Sequence, residues 1–300
     1  MGNNVLSKII ACLRNQCRKF LIDYYPQIVI NYIWERKYGH KIDWNNPVDL
    51  NEKIQWLICF GDTSKWSDLA DKYKVRMYIQ EKGYSYLLPK LLGVWKDAND
   101  INYDILPDKF VLKCNHDSGS TRVIDKKMGI NIVELSNYYN CCLKHKYGYG
   151  QCEPHYNKIK PVIIAEEFLD SGNSNHNLGI IDYKVWCFDG KPYCIFVVHN
   201  RTHDHIYCNV YDLNWNVHPE WSNFSNYHRD GENKVPKPVK LAEMIKIAAD
   251  LSKGFPQVRV DFYIINNKIY FGEMTFTSAC GRMDCFSEDF LKEMGDKVIL

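Results

Sequence analysis

Val258-Arg259-Val260-Asp261-Phe262-Tyr263-Ile264-Ile265, Asn266-Asn267, Lys268-Ile269-Tyr270-Phe271-Gly272-Glu273-Met274-Thr275 is the stretch whose reading decides the fold. β-branched and aromatic residues dominate both arms and the Asn-Asn centre supplies turn residues, so the segment predicts a β-hairpin. Successive side chains of a strand point to opposite faces. Val258, Val260, Phe262 and Ile264 therefore make a core face, and Arg259 and Asp261 share the other. Register decides where Glu273 falls. A three-residue loop, Asn266 to Lys268, pairs Ile265 with Ile269, Tyr263 with Phe271 and Asp261 with Glu273, matching apolar with apolar and aromatic with aromatic. A two-residue Asn-Asn turn instead sends Glu273 to the face opposite Asp261. We expect the three-residue loop.

In that register the two carboxylates stand on Cα atoms about 5 Å apart. Like charges that close repel unless one is protonated or a cation lies between them. Hard carboxylate oxygens on a rigid hairpin suit magnesium, which commonly completes its shell with water and phosphate. The competing explanation is an exposed acidic patch relieved by Arg259. A hairpin alone favours that explanation, so the rest of the chain must decide.

Outward from the hairpin, short strand-like runs occur at Phe110–Lys113, Val162–Ala165, Lys184–Phe188 and Tyr193–Val198. Lys113 leaves its run into Cys114-Asn115-His116-Asp117-Ser118-Gly119-Ser120-Thr121, a loop of small hydrogen-bonding residues that suits a phosphate. It is not a Walker loop, because GxxxxGK[ST] is absent. The run ending at Ala165 continues into Glu166-Glu167-Phe168-Leu169-Asp170, an acidic and apolar connector able to offer backbone groups to a purine edge. Asp182-Tyr183-Lys184-Val185 brings a second lysine on an alternating strand.

Helical periodicity covers 131–146 and 238–253, the latter opening near Pro238 and closing at Gly254. It also covers 48–82 and 5–22. In the last of these Leu6, Ile9, Ile10, Leu13, Cys17, Phe20 and Leu21 recur at helical spacing, with Lys8, Arg14, Arg18 and Lys19 between them and no acid before Asp23. The favoured expectation is a helix covering the protein's own core. The other is peripheral contact with an anionic membrane through residues 5–22.

Composition sets bounds. The 300-residue chain suggests about two domains, and 38 basic against 36 acidic residues argue against a nucleic-acid partner. Twelve cysteines occur without a CxxC pair, and neither His203-x-His205-x-x-Cys208 nor Cys280-x4-Cys285 has zinc-site spacing. No run of 18 apolar residues and no secretory leader pattern is visible, so we expect reduced thiols and a cytoplasmic location, peripheral to the inner face of the membrane on the second reading of the N-terminal helix. Strands mixed with helices, behind a helical N-terminal portion, predict an α+β fold.

From about residue 45 onward the chain resembles a family: the ATP-grasp enzymes, and within them the TupA-like group encoded with polysaccharide biosynthesis genes. The resemblance is carried in order by Asn46-Pro47 with Leu50–Leu57, Asp71-Lys72-Tyr73-Lys74-Val75-Arg76, Leu106-Pro107 with Phe110–Gly119, Asp182–Val185, Phe188-Asp189-Gly190-Lys191-Pro192, Arg259–Tyr263 and Phe271–Phe276. It implies an ATP-grasp fold with two α+β lobes clamping ATP: a mainly helical region at 1–95, a first lobe at 96–165 and a second lobe with the hairpin at 166–300. It implies that Lys113 and Lys184 contact ATP phosphates, with Ser118 and Gly119 in the cradle. Glu166, Glu167 and Phe168 would line the adenine end, Asp182 would reach the ribose, and Arg259 the reactive phosphate. Asp261 and Glu273 would hold Mg2+. Many ATP-grasp enzymes carry asparagine two residues after the metal-binding glutamate; this chain has Thr275, as the TupA-like pattern does, which places Thr275 in the metal set.

The chemistry implied is ligation through an acyl phosphate. A carboxylate, expected on a uronic acid of a capsule or O-antigen polysaccharide unit, is joined to an amino acid or amine at the expense of ATP. His116, Asp117 and the turn Thr277-Ser278-Ala279-Cys280-Gly281 are candidates for holding the acceptor or taking the amine's proton. Two other classes compete. A glycosyltransferase of the same pathway would need a nucleotide-sugar, and the DxD motif that would mark it is absent. A non-catalytic nucleotide-binding module would bind ATP without turnover.

Overall fold

The computed structural model describes residues 2–170 and 178–300, with side chains from residue 13 onward. It is an α+β protein built on two sheets with a cleft between them. The N-terminal portion is helical: α1 Gly2–Tyr24, α2 Pro26–Tyr38, α3 Leu50–Phe60, α4 Trp66–Ala70 and α5 Val75–Glu81. Two of these helices have clear local boundary signals. Pro26 opens α2 and Gly39, at φ 78°, closes it. The Asp49 side chain caps α3 by accepting from the Glu52 N–H.

The first lobe is a four-stranded antiparallel sheet in the order β1-β4-β2-β3. Its strands are β1 Leu91–Trp95, β2 Lys109–Cys114, β3 Arg122–Asp125 and β4 Ile163–Glu167. Helix α6, Ile132–Lys144, packs on β2. Short helices α7 Gly148–Gln151 and α8 Pro154–Asn157 lead into β4. The second lobe is a six-stranded sheet in the order β10-β9-β5-β6-β7-β8. It comprises β5 Asp182–Phe188, β6 Lys191–His199, β7 Ile206–Tyr211, β8 His228–Asp230, β9 Val258–Ile265 and β10 Lys268–Thr275. Among the described residues only the β7–β8 pair is parallel. Helix α9, Leu241–Leu251, packs its apolar stripe on β5, β6 and β9, and α10, Glu288–Asp296, packs on α3.

Two hydrophobic cores result. A small one (Phe110, Leu112, Tyr139, Ile163 and neighbours) belongs to the first lobe. A large one runs without a break from Trp34, Ile54 and Trp66 into Val185, Trp186, Phe262 and Phe276. Trp66 stacks on Phe276 at 5.0 Å and 14°. The N-terminal helices therefore cover one side of the second lobe.

The element boundaries depart from expectation in two places. β1 lies inside the expected helical region 1–95, yet it pairs with β4, and the expected 165/166 boundary cuts through β4. The sheet order is the reason: β4 sits between β1 and β2, so all three must belong to one lobe. The favoured reading of α1 is also corrected in part. Leu21 and Ile22 pack inward, but Leu13 and Phe20 are each 54% exposed. The expectations for Leu6, Lys8, Ile9 and Ile10 fall on side chains outside the described residues.

Candidate active site

The β9–β10 hairpin does not turn as expected. Asn266 and Asn267, at φ 51° and 59°, form a two-residue turn in the left-handed region. Ile265 consequently faces Lys268, Tyr263 faces Tyr270 and Phe262 faces Phe271. Continued regularly, that register would set Asp261 opposite Gly272. A bulge between Phe271 and Glu273 adds one residue to β10 and restores the pairing of Asp261 with Glu273. Gly272 sits at the bulge because space is lacking: a Cβ there would lie 3.0 Å from the Asp261 carbonyl oxygen and 3.2 Å from Tyr263 Cε2.

Across the next strand pair Lys184 of β5 faces Asp261. Lys184, Asp261 and Glu273 thus form one row over three adjacent strands. Arg259 grips Asp261 with two parallel bonds, Nε to Oδ1 and Nη2 to Oδ2, both 2.7 Å. Its Nη2 also reaches Glu273 Oε1 at 3.2 Å, and Nη1 donates to Ser278 Oγ at 3.0 Å. Lys184 Nζ lies 2.6 Å from both Asp261 Oδ2 and Asp182 Oδ2. Burial alone would raise the Asp261 pKa, but Arg259 and Lys184 hold it below its ordinary value. Burial wins at Asp182, whose pKa is raised despite Lys184.

The first lobe supplies the facing wall. Lys113 Nζ is 2.5 Å from Glu166 Oε2, and Arg76 Nη1 holds Oε1 at 3.0 Å. Glu167 Oε1 accepts from the Lys90 N–H at 2.8 Å, and Lys109 Nζ lies 3.9 Å above the Phe168 ring. Between the walls is a cleft of about 1210 Å3. Lys113, Ser118, Gly119, Glu166, Glu167, Phe168, Asp182, Lys184, Arg259, Asp261 and Glu273 all line it. Residues more than 150 positions apart in sequence are brought together here.

Three of the expected site residues stand outside the lining. Thr275 is buried; its hydroxyl donates to Glu273 Oε1 at 3.0 Å and accepts from Arg259 Nη2 at 3.1 Å, so it orients both. His116 is 1% exposed with Nε2 against the His145 carbonyl oxygen, and burial lowers its pKa. Asp117 turns its carboxylate to Ser120 Oγ, 2.5 Å away. The Thr277–Gly281 turn is held from behind: Thr277 Oγ1 donates to the buried Glu153 at 2.5 Å, and Gln55 Nε2 donates to the carbonyls of Cys280 and Gly281.

Sequence reasoning missed Lys72, Arg76 and Arg201, which also line the cleft. Lys72 is set by its surroundings. Its backbone N–H donates to the Asn115 carbonyl, and neighbouring Asp71 accepts from Asn115 Nδ2 at 2.8 Å. The Lys72 ammonium donates to the Asp117 carbonyl oxygen. Burial lowers its pKa, opposed by the charge of Glu273 and reinforced by Lys113. The signal was present in Asp71–Arg76, a stretch that carried resemblance without a role attached. Arg201 reaches Asp182 Oδ2 at 3.5 Å.

Two facing α+β lobes, with lysines on both walls and a carboxylate pair on a bulged hairpin, enclose the cleft. The family model described as TupA-like ATPgrasp matches residues 52–299, and the chain belongs to that family. No match was found among curated proteins. Solved structures with a similar course are distant. D-alanine–D-alanine ligase from Bacillus anthracis complexed with ATP is 14% identical, with 92% of this chain and 73% of that one covered and a TM-score of 0.46. L-amino acid ligase from Bacillus licheniformis is 10% identical, over 84% and 55%, at 0.45. The ATP-grasp ligase PsnB complexed with minimal precursor is 14% identical, over 78% and 60%, at 0.42.

Proposed function

We propose that the protein is an ATP-dependent carboxylate–amine ligase acting on a uronic acid carboxylate of a surface-polysaccharide unit and an amino acid or amine. The observation that carries this reading is the convergence of Lys113, Lys184, Arg259, Asp261 and Glu273 on one cleft wide enough for a nucleotide and an acceptor. Family membership supports it, because ATP-grasp proteins are the class in which such a cleft holds ATP.

The residues fit the nucleotide. Asp182 Oδ1 is buried with no hydrogen-bond partner among the described residues, an acceptor suited to a ribose hydroxyl. Lys72, Lys113, Lys184 and Arg259 supply donors for the phosphates. The donor set also fits magnesium. Glu273 uses Oε1 for its bonds to Arg259 and Thr275, and its Oε2 makes neither of them. Asp261 and Glu273 would hold the ion, with Thr275 fixing Glu273. Bound magnesium supplies charge neutralisation at the phosphate oxygens.

The reaction has two steps. A substrate carboxylate oxygen attacks the γ-phosphorus, and the bond to the β-phosphate oxygen breaks to leave acyl phosphate and ADP. Lys113, Lys184 and Arg259 stabilise the charge on the equatorial oxygens and position the groups in line. The amine nitrogen then attacks the acyl carbon, the C–O bond to phosphate breaks, and the departing phosphate takes the amine's proton. His116 is too buried for that proton transfer and acts through the loop it anchors.

The face of α1 and α2 supports peripheral membrane contact. Leu13, Phe20, Tyr24, Tyr25, Ile28 and Tyr32 are exposed together, and the Phe20 ring lies 4.9 Å from Tyr24 and 6.2 Å from Tyr25. The first 22 residues carry four basic and no acidic side chains, matching an anionic surface. Among the described residues no helix is long and apolar enough to cross a membrane.

The test is incubation with ATP, magnesium, a uronate acceptor panel and an amine panel. ADP and phosphate released in step with amide support the ligase. Stabilisation by UDP-sugars rather than ATP, or tight ATP binding without turnover on any pair, contradicts it.

A further inference from the structure

We propose that Cys114, Asp117 and Cys142 form a binding site for one thiophilic divalent cation, with zinc as the probe, beneath the loop that faces the cleft. Among the described residues this is the one group of three potential ligands whose donor atoms all lie within 4.8 Å of one another. The three come from different supports: Cys114 ends β2, Asp117 follows in the loop and Cys142 lies on α6. Cys114-x-x-Asp117 has the two-residue gap of a metal knuckle, with a carboxylate in the second place. Cys142, 28 positions away, is brought alongside by the packing of α6 on β2.

The frame around the ligands is built. One hydroxyl ties two of them: Ser120 Oγ accepts from the Cys114 N–H at 2.8 Å and donates to Asp117 Oδ1 at 2.5 Å. Such an outer contact orients a ligating carboxylate. The Ser120 carbonyl in turn accepts from Tyr139 Oη, which also donates to the Leu112 carbonyl. Bringing the donors to metal distance, about 2.3 Å for sulfur and 2.0–2.2 Å for carboxylate, requires each to move by only a fraction of the spacing they already have. Three protein ligands leave a fourth position for water. Cys114 is fully buried and Cys142 half-buried.

Binding has a proton balance. Burial raises both thiol pKa values, to about 12 for Cys114, so both carry protons before binding. Each sulfur gives up its proton as its bond to the cation forms, and affinity rises with pH. Occupancy would also stiffen the loop, because the Asp117 carbonyl receives the Lys72 ammonium and Ser118 and Gly119 line the cleft.

The experiment strips the full-length protein of metal and titrates zinc against a chromophoric chelator, then repeats with cobalt to read thiolate-to-metal charge-transfer absorption. We expect one equivalent bound, with two protons released. Cys142→Ser should abolish the charge-transfer signal, and Asp117→Asn should weaken zinc binding at least tenfold. Cys141→Ser, which changes the exposed neighbouring thiol, should bind as the parent does. Failure to compete with a micromolar chelator overturns the proposal. So does zinc binding in folded Cys142→Ser equal to that of the parent.

Discussion

Asp261 meets two cations within 2.7 Å, and what happens when its charge is removed belongs to the residue scale. Its folded-state pKa lies below the ordinary 3.8, so its contribution to stability is fully present above that value and is lost as pH falls through the lowered one. Asp261→Asn leaves Arg259 and Lys184 without their carboxylate. Breaking a buried pair from one side costs about 3–5 kcal/mol, which thermal unfolding will show. Glu273 is 42% exposed and bonds through one oxygen, so Glu273→Gln should fold normally. Loss of the proposed magnesium ligand should cost roughly 100-fold in ADP release, about 2.7 kcal/mol. Lys72 gives a pH signature. Its pKa is lowered from 10.5, so it loses its charge earlier than an ordinary lysine as pH rises. ATP affinity of the parent should begin to fall at a pH below 10.5, while Lys72→Arg should keep its charge over the same range because guanidinium remains protonated.

At the scale of elements, the hairpin shows what was legible. Alternation in Val258–Ile265 revealed the core face, and the pairing of Asp261 with Glu273 followed from a register chosen to match apolar with apolar and aromatic with aromatic. The turn was misread because two register changes cancel: a two-residue Asn-Asn turn shifts β10 by one residue, and the bulge at Gly272 shifts it back. An isolated glycine within a strand pattern is the usual mark of a bulge, so the signal was present. Gly272→Ala should cost about 1–3 kcal/mol through contact with the Asp261 carbonyl and should lower ADP release further than the stability change alone explains. Asn267→Gly, at φ 59°, should unfold at the same temperature or higher and keep its activity. Other elements left weaker traces. β1 contains Gly93, against which the Trp95 ring packs, and β3 is a four-residue edge strand with Val123 52% exposed. Neither shows alternation long enough to read. β8 was missed because its run is only three residues long, and β7, although it pairs with the neighbouring β6, was not read as a strand. The site's charged residues were legible as types at strand ends. Lys72 and Arg76 were visible only as part of the resemblance in Asp71–Arg76, because a basic residue near a helix start has no distinctive pattern of its own.

For the whole molecule, the N-terminal helices do two jobs. Their inner face (Ile22, Trp34, Ile54, Trp66) completes the second-lobe core, which no local pattern could reveal. Their outer face presents Leu13, Phe20, Tyr24 and Tyr25. Sedimentation with anionic vesicles should capture the parent at low salt, and Phe20→Ser with Arg14→Glu should release it; equal binding of neutral vesicles, or none of anionic ones, argues against membrane contact. In the proposed function this clamp passes a phosphoryl group from ATP to a carboxylate. That transfer is tested most directly with uronate acceptors carrying heavy oxygen in the carboxylate, incubated with ATP, magnesium and the amine panel, followed by mass analysis of the released phosphate. An acyl phosphate route places one labelled oxygen in each phosphate formed. Phosphate released without label, while amide accumulates, would contradict the account.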